Sequence, residues 1–201
     1  RPQPDLKAKV IFVGNSGVGK TSILLRNDGR DFEASFTSTI GANFIHSTVI
    51  SRTSKKVELE IWDTAGSEKY ANLMPMYLRR SSGAFLVFDV ADRDSFNDLS
   101  KWCEELEHAN LPGFSVVLVG NKIDLKREVQ EEEARGFARE KSMRYVETSA
   151  LEDKGIGEMM QTMVEMLVHR FECRHLTSQH KDTVDIHPAK RNTESSCNCA
   201  N

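Results

Sequence analysis

A glycine-rich loop set between an apolar strand and an apolar helix constrains this chain more than any other feature. Residues 10–13 are apolar and mostly β-branched, and they read as a buried strand. Gly14 then opens a loop that closes at Gly19, Lys20 and Thr21, matching G-x-x-x-x-G-K-S/T, and an apolar helical pattern follows at Ile23, Leu24 and Leu25. Strand, glycine loop and helix in that order form the context of a phosphate-binding loop. Gly14, Gly17 and Gly19 let successive backbone N–H groups of the loop, from Asn15 and Ser16 through Val18 to Thr21 and Ser22, turn toward phosphate oxygens. The helix N-terminus adds a partial positive charge. Lys20 supplies a full one to the β- and γ-phosphates, and the Thr21 hydroxyl is a candidate Mg²⁺ ligand. The bland alternative is a glycine-rich turn that binds nothing.

Three further signals follow, each at the end of a predicted strand. Asp63-Thr64-Ala65-Gly66 offers a carboxylate for the water shell of Mg²⁺ and a Gly66 N–H for a γ-phosphate. Asn121-Lys122-Ile123-Asp124 offers a carboxylate, that of Asp124, able to accept both the N1–H and the 2-amino hydrogens of guanine. Adenine has no such pair and would leave that carboxylate buried and unpaired. Thr148-Ser149-Ala150 places the Ala150 N–H within reach of the guanine O6. Each tetrapeptide alone is an ordinary turn, and the order of all four carries the reading.

The hydrophobic pattern predicts the element order β, α, ββ, α, β, α, β, α, β, α. The expectation is an α/β fold of P-loop NTPase type: a doubly wound, mostly parallel six-stranded sheet, one antiparallel edge hairpin, and helices on both faces. Phe96, Leu99, Trp102 and Leu106 recur at helical spacing after Asp92 and Asp94 as possible caps. Met159, Met160 and Met163 belong to a stripe read as core rather than as a ligand groove. At 201 residues one domain is expected, spanning 7–172, with a lead-in at 1–6 and a polar, disordered tail at 173–201. The net charge of −3 argues against nucleic acid as the main partner. The 4 cysteines form no disulfide framework, and a reducing cytosolic setting is expected. His175, His180 and His187 are read as solvated.

On these motifs, G-N-S-G-V-G-K-T, S-T-I-G-A-N-F, E-I-W-D-T-A-G, G-N-K-I-D-L and E-T-S-A, the chain resembles the Ras superfamily of small GTPases and, within it, the Rab family. S-T-I-G-A-N-F and M-P-M-Y look closest to the early-endosomal branch. The resemblance implies a Mg²⁺-dependent GTP/GDP switch regulating vesicular membrane trafficking. Lys20, Thr39, Gly66 and Ser67 would lie at the reacting phosphate. Thr21 and Thr39 would ligate Mg²⁺, Thr39 in the triphosphate state only, with Asp63 acting through water. Phe32 would stack near the guanine edge, and Phe36 would also border the nucleotide, as would Asn121, Lys122, Asp124, Ser149, Ala150 and Leu151. Residues 28–41 become switch I and residues 65–78 switch II. Phe44, Trp62 and Tyr77 match the aromatic triad that Rabs present to effectors, where plain core packing is the alternative reading.

The same resemblance implies as partners a guanine nucleotide, effectors, an exchange factor, an activating protein, an escort protein and a GDP-dissociation inhibitor. It implies a monomer on the cytoplasmic face of an intracellular membrane, endosomal by preference, cycling with the cytosol. Cys197 and Cys199 look like the paired, doubly geranylgeranylated cysteines of Rabs, a stray pair or zinc ligands being the alternative. Two lipids give stable anchoring where one is marginal. The chain departs from the family pattern at Ser67, usually glutamine, which orients the attacking water. Slow intrinsic hydrolysis is expected. The competing reading is a mostly GTP-bound scaffold that binds effectors with little cycling, and a P-loop ATPase or kinase is a third, opposed by Asn121-Lys122-Ile123-Asp124. Asn27, usually aromatic or aliphatic, and Arg80, usually glycine, are smaller departures.

Overall fold

A computed structural model describes residues 3–30, 42–64, 74–109 and 111–179 of the chain. Its strands are β1 (Leu6–Val13), β2 (Ala42–Ile50), β3 (Lys56–Thr64), β4 (Ser81–Asp89), β5 (Ser115–Asn121) and β6 (Arg144–Glu147). Its helices are α1 (Lys20–Asn27), α2 (Met74–Leu78), α3 (Arg93–Asn97), α4 (Leu99–His108), α5 (Glu131–Glu140) and α6 (Ile156–Gln179). The strands form one sheet in the order β2-β3-β1-β4-β5-β6. All neighbours run parallel except β2 and β3, which pair antiparallel from Ala42 opposite Thr64 to Ile50 opposite Lys56. This is the expected mostly parallel sheet with an antiparallel edge hairpin.

The central strands carry apolar residues at consecutive positions because both faces of the sheet are covered. On one face Val10, Phe12, Phe85, Val87, Val117 and Val119 pack under Ile23 and Leu24 of α1 and Met159, Met160 and Met163 of α6. On the other, Ile11, Val13, Leu86, Phe88 and Leu118 pack against Leu78, Leu99, Trp102, Leu106, Ala134 and Ala138. The period of two along each strand thus sorts alternate residues to opposite layers. The methionine stripe is core, as expected.

Two boundaries differ from the sequence reading. The run from Phe96 to Leu106 is two helices, α3 and α4, meeting at Asp98. Asp92 caps the first by accepting from the N–H groups of Asp94 and Ser95. The last helix does not stop at residue 172 but continues to Gln179, so the start of the presumed disordered tail is helical. Phe171 and Arg174 are exposed there, and such exposed residues give no amphipathic period from which to read a helix. Among the described residues no helix is long and apolar enough to cross a membrane.

Candidate functional site

The C-terminal ends of β1, β3 and β5, together with the segment following β6, carry the candidate groups, where an open α/β sheet binds ligands. Gly14, Gly17 and Gly19 all have positive φ. Gly14 has no room for a side chain, since a Cβ would fall 2.1 Å from the Val87 carbonyl oxygen. A Cβ on Gly19 would fall 2.3 Å from Asn121 Nδ2. The loop is thereby pressed onto β4 on one side and β5 on the other.

The loop is also tied down by side chains. Asn121 Nδ2 donates to the Val18 carbonyl at 2.8 Å, and the Asn121 Oδ1 accepts from Thr148 Oγ1 at 3.0 Å. One buried amide thus links the phosphate loop, β5 and the segment after β6. Asn15 donates to Asp98 Oδ2 and accepts from Trp102 Nε1, each at 2.7 Å, which fastens the loop to α4. Val18 is buried, Ser16 is exposed and Ser22 half-buried.

Lys20 is buried at the start of α1 and donates from Nζ to the carbonyls of Gly14 at 2.8 Å and Asn15 at 2.7 Å. Burial pulls its ammonium down to about 8, against the opposing pull of nearby Asp63. Thr21 Oγ1 donates to Asp63 Oδ2 at 2.6 Å, and Asp63 is fully buried at the end of β3. A hydroxyl and a carboxylate in contact are a hard-oxygen set that suits Mg²⁺. Among the described residues no group of three or more His, Cys, Asp or Glu side chains could hold a metal ion. Thr21 and Asp63 suit an ion that takes few protein ligands and completes its shell with water and phosphate.

At the other end, Ser149 Oγ donates to Asp124 Oδ1 at 2.5 Å and accepts from the Glu152 N–H at 3.1 Å. Lys122 has a φ of 65° and its Nζ meets Asp89 Oδ2 at 2.7 Å. Ala150 is buried and Leu151 exposed. Arg26, near the end of α1, donates to the Ala150 carbonyl at 3.0 Å and the Leu151 carbonyl at 3.1 Å. Sequence reasoning missed Arg26, Trp102 and Asp98. Each acts across more than 80 residues of chain separation, and no local pattern marks them.

Phe44, Trp62 and Tyr77 form one run of aromatic contacts. Phe44 stacks on Trp62 with ring centroids 5.0 Å apart, and Trp62 meets Tyr77 at 6.3 Å. Phe44 is 46% exposed while Tyr77 is only 5% exposed, so the run passes from surface to core. Lys9 Nζ lies over the Trp62 ring at 4.6 Å. Phe32, Phe36, Thr39, Gly66, Ser67, Cys197 and Cys199 lie outside the described residues.

Residues 9–169 match the model of the Ras family. The chain is 41% identical to the Ras-related protein Rab-17 of Mus musculus over 166 residues, 81% of this chain and 77% of that protein. It is 39% identical to the Ras-related protein Rab-11B of Dictyostelium discoideum, over 76% of this chain and 70% of that protein. It is 34% identical to the GTP-binding protein ypt1 of Schizosaccharomyces pombe, over 98% of each. With the fold, the phosphate loop and this likeness across nearly its whole length, the chain belongs to the Rab family of small GTPases within the Ras superfamily.

Proposed function

We propose that this chain is a Mg²⁺-dependent GTP/GDP switch of membrane trafficking. Its own residues divide the nucleotide between a phosphate side and a base side. The observation that carries this reading is the convergence of Lys20, Thr21 and Asp63 with Asp124 and Ser149 along one edge of the sheet. Lys20 would reach phosphate oxygens beside or in place of its loop carbonyls, and the Thr21 oxygen would face the metal while its hydrogen serves Asp63. Bound Mg²⁺ supplies charge neutralisation at the phosphates. Asp124, oriented by Ser149, would accept both guanine hydrogens, and the Ala150 N–H would donate to O6. Asn121 would act through the loop it brackets, since both ends of its amide are engaged by protein.

Thr39 and Gly66 would grip the γ-phosphate and release the switches on hydrolysis. Phe44, Trp62 and Tyr77 support an effector face, since they join an exposed ring to the core. Lipids on Cys197 and Cys199 would hold the switch on the cytoplasmic face of an intracellular membrane, endosomal by preference. An exchange factor, an activating protein, an escort protein and a dissociation inhibitor would serve the cycle. Ser67 is too short to orient the attacking water, and intrinsic hydrolysis would be slow. That same serine favours the second reading, a lasting GTP-bound scaffold.

Single-turnover hydrolysis of preloaded GTP separates the two, comparing the wild type with Ser67→Gln, each with and without a Rab-type activating protein. A wild type that is slow alone and fast with the activator is a cycling switch whose glutamine comes from its partner. One that stays slow in both, while the variant responds, is the scaffold.

A further inference from the structure

The base side of the site is carried by two stretches that lie outside helices and strands. Asp124 belongs to residues 122–130, between β5 and α5, and Ala150 to the turn 149–154 that follows β6. Backbone bonds run both ways between Ser149 and Lys154 at 3.0 Å and close that turn. Residues 122–130 are anchored at their far end, where the Glu128 and Val129 N–H groups donate to the Val90 carbonyl at 2.9 and 3.0 Å. At their near end the two stretches meet through Asp124 and Ser149, and beside them the Ile123 N–H donates to the Thr148 carbonyl at 3.2 Å. Two bonds side by side make a hinge: they hold the stretches together but leave the angle between them free.

A second tie is offset from that hinge. Arg127 donates from Nη1 to Glu147 Oε1 at 2.8 Å and from Nη2 to Glu147 Oε2 at 2.6 Å. This forked pairing of guanidinium and carboxylate fixes direction as well as distance. Tyr145 Oη donates a third bond to Glu147 Oε1 at 2.8 Å. Tyr145 and Glu147 are two apart on β6 and so share one face of the sheet. Gly120, directly before Asn121, leaves room for the tyrosine hydroxyl, since a Cβ there would stand 2.6 Å from it. The side chains of Arg127 and Glu147 are only 25% and 18% exposed. Burial by itself pushes the Glu147 carboxyl up. The hydrogen bonds from Arg127 and Tyr145 outweigh it and hold the group below the usual carboxylate range. An exposed ion pair with one contact contributes little, whereas a covered, forked one with a third donor is a stiff joint.

We propose that Arg127, Glu147 and Tyr145 are positioning residues for the guanine base, a clamp that sets the spacing between the Asp124 carboxylate and the Ala150 N–H. This role rests on the guanine reading proposed above. Asp124 would take N1–H and the 2-amino group and Ala150 would take O6, which are neighbouring groups on one edge of the base. The separation of the two protein groups therefore decides whether both bind at once. Arg127 lies three residues beyond Asp124, and Glu147 two residues before Ser149, so their pairing blocks rotation about the hinge. The clamp acts through Asp124 and Ala150, and its loss releases the base without altering the phosphate groups Lys20, Thr21 and Asp63.

The test is the dissociation rate of fluorescently labelled GDP, IDP and ADP from the full chain with Mg²⁺, chased with excess unlabelled GDP. IDP lacks the 2-amino group, so the GDP-to-IDP ratio reports how well Asp124 is placed, which a general loss of stability does not change. Arg127→Met is expected to speed GDP release about tenfold and IDP release about threefold or less. Arg127→Lys keeps the charge but not the fork and recovers only part of this. Tyr145→Phe, which keeps the ring and the fold, speeds GDP release about twofold. Glu147→Gln added to Arg127→Met has little further effect, because both break one contact. Leu106→Ala, a core truncation in α4, lowers the unfolding midpoint and leaves the GDP-to-IDP ratio as it was. Wild-type GDP release in Arg127→Met, or an equal rise for GDP and IDP, overturns the clamp while leaving the guanine reading intact. So does full additivity of the two changes. A wild type that holds ADP as long as GDP overturns the guanine reading, and the clamp with it, before any variant is made.

Discussion

The base side and the phosphate side of the candidate site are built on different principles. On the base side the key groups are locked by neighbours that a ligand need not disturb. Ser149 holds Asp124, Glu152 holds Ser149, and Arg26 holds the carbonyls of Ala150 and Leu151. On the phosphate side the key groups hold one another. Lys20 donates to its own loop and Thr21 to Asp63, bonds that phosphate and metal would join or replace. A locked carboxylate serves discrimination, because a mismatched base cannot be accommodated by movement. Exchangeable donors suit a side whose ligand changes between diphosphate and triphosphate.

The largest effect tests the phosphate side. Lys20→Met removes a buried cation and is expected to weaken GDP binding by a hundredfold or more, since losing one partner of a buried charged pair costs about 3–5 kcal/mol. Fluorescent-nucleotide titration reads it, and a loss below tenfold would mean that the loop amides carry the phosphates alone. On the base side, Asp124→Asn is expected to cost about a hundredfold in GDP affinity and to narrow the gap to ADP. Ser149→Ala costs about tenfold, because its loss frees the carboxylate rather than removing it. Equal losses for GDP and ADP would break the division between the two sides.

A pH series separates them without mutation. Lys20 titrates near 8 when free, and phosphate favours its charged form. Nucleotide affinity is therefore expected to fall about tenfold between pH 7 and 9. The free protein should do the reverse. The unfolded lysine keeps its proton to about 10.5 while the folded one loses it near 8, so this group makes the free fold more stable as pH rises through that window. Chemical denaturation at pH 7.5 and 9.5 measures the sign, and Lys20→Met should abolish both trends.

Smaller effects come from two residues bordering the expected switches. Asn27 ends α1, and its Nδ2 is buried with no hydrogen-bond partner among the described residues. Asn27→Leu is expected to stabilise the GDP-bound fold by about 1 kcal/mol, read from denaturant midpoints. Arg80 follows α2 at φ 62°, in the left-handed region where the family usually has glycine. Arg80→Gly relieves about 1–2 kcal/mol of backbone strain but loosens the unfolded chain, for a net gain of about 0.5 kcal/mol. A loss of stability in either variant would show that these residues have contacts worth more than the strain.

Much of this was legible in the chain because local chemistry forces it. The phosphate loop needs glycine where Val87 and Asn121 press on the backbone, and those glycines stand in a recognisable spacing. Alternating burial on strands covered on both faces writes itself as continuous apolar runs. The break at Asp98 was not legible, because the apolar period continues through it. The extension of α6 to Gln179 was not legible either, because an exposed helix end has no buried stripe to mark it.

The sequence by itself determined the succession of strands and helices along the chain, the phosphate-loop motif and the residue types expected at a guanine nucleotide, since each depends on neighbours within a few positions; the order of the strands in the sheet came from the structure. Only the tertiary structure decided how those pieces are held. Arg26 reaches Ala150, Trp102 and Asp98 reach Asn15, and Asn121 joins Val18 to Thr148. It alone also buried Arg170 Nη1 beneath the loop at Gly113, without a hydrogen-bond partner among the described residues. Hydrogen bonds between distant segments leave no period in the chain, because their partners are chosen by packing and not by spacing.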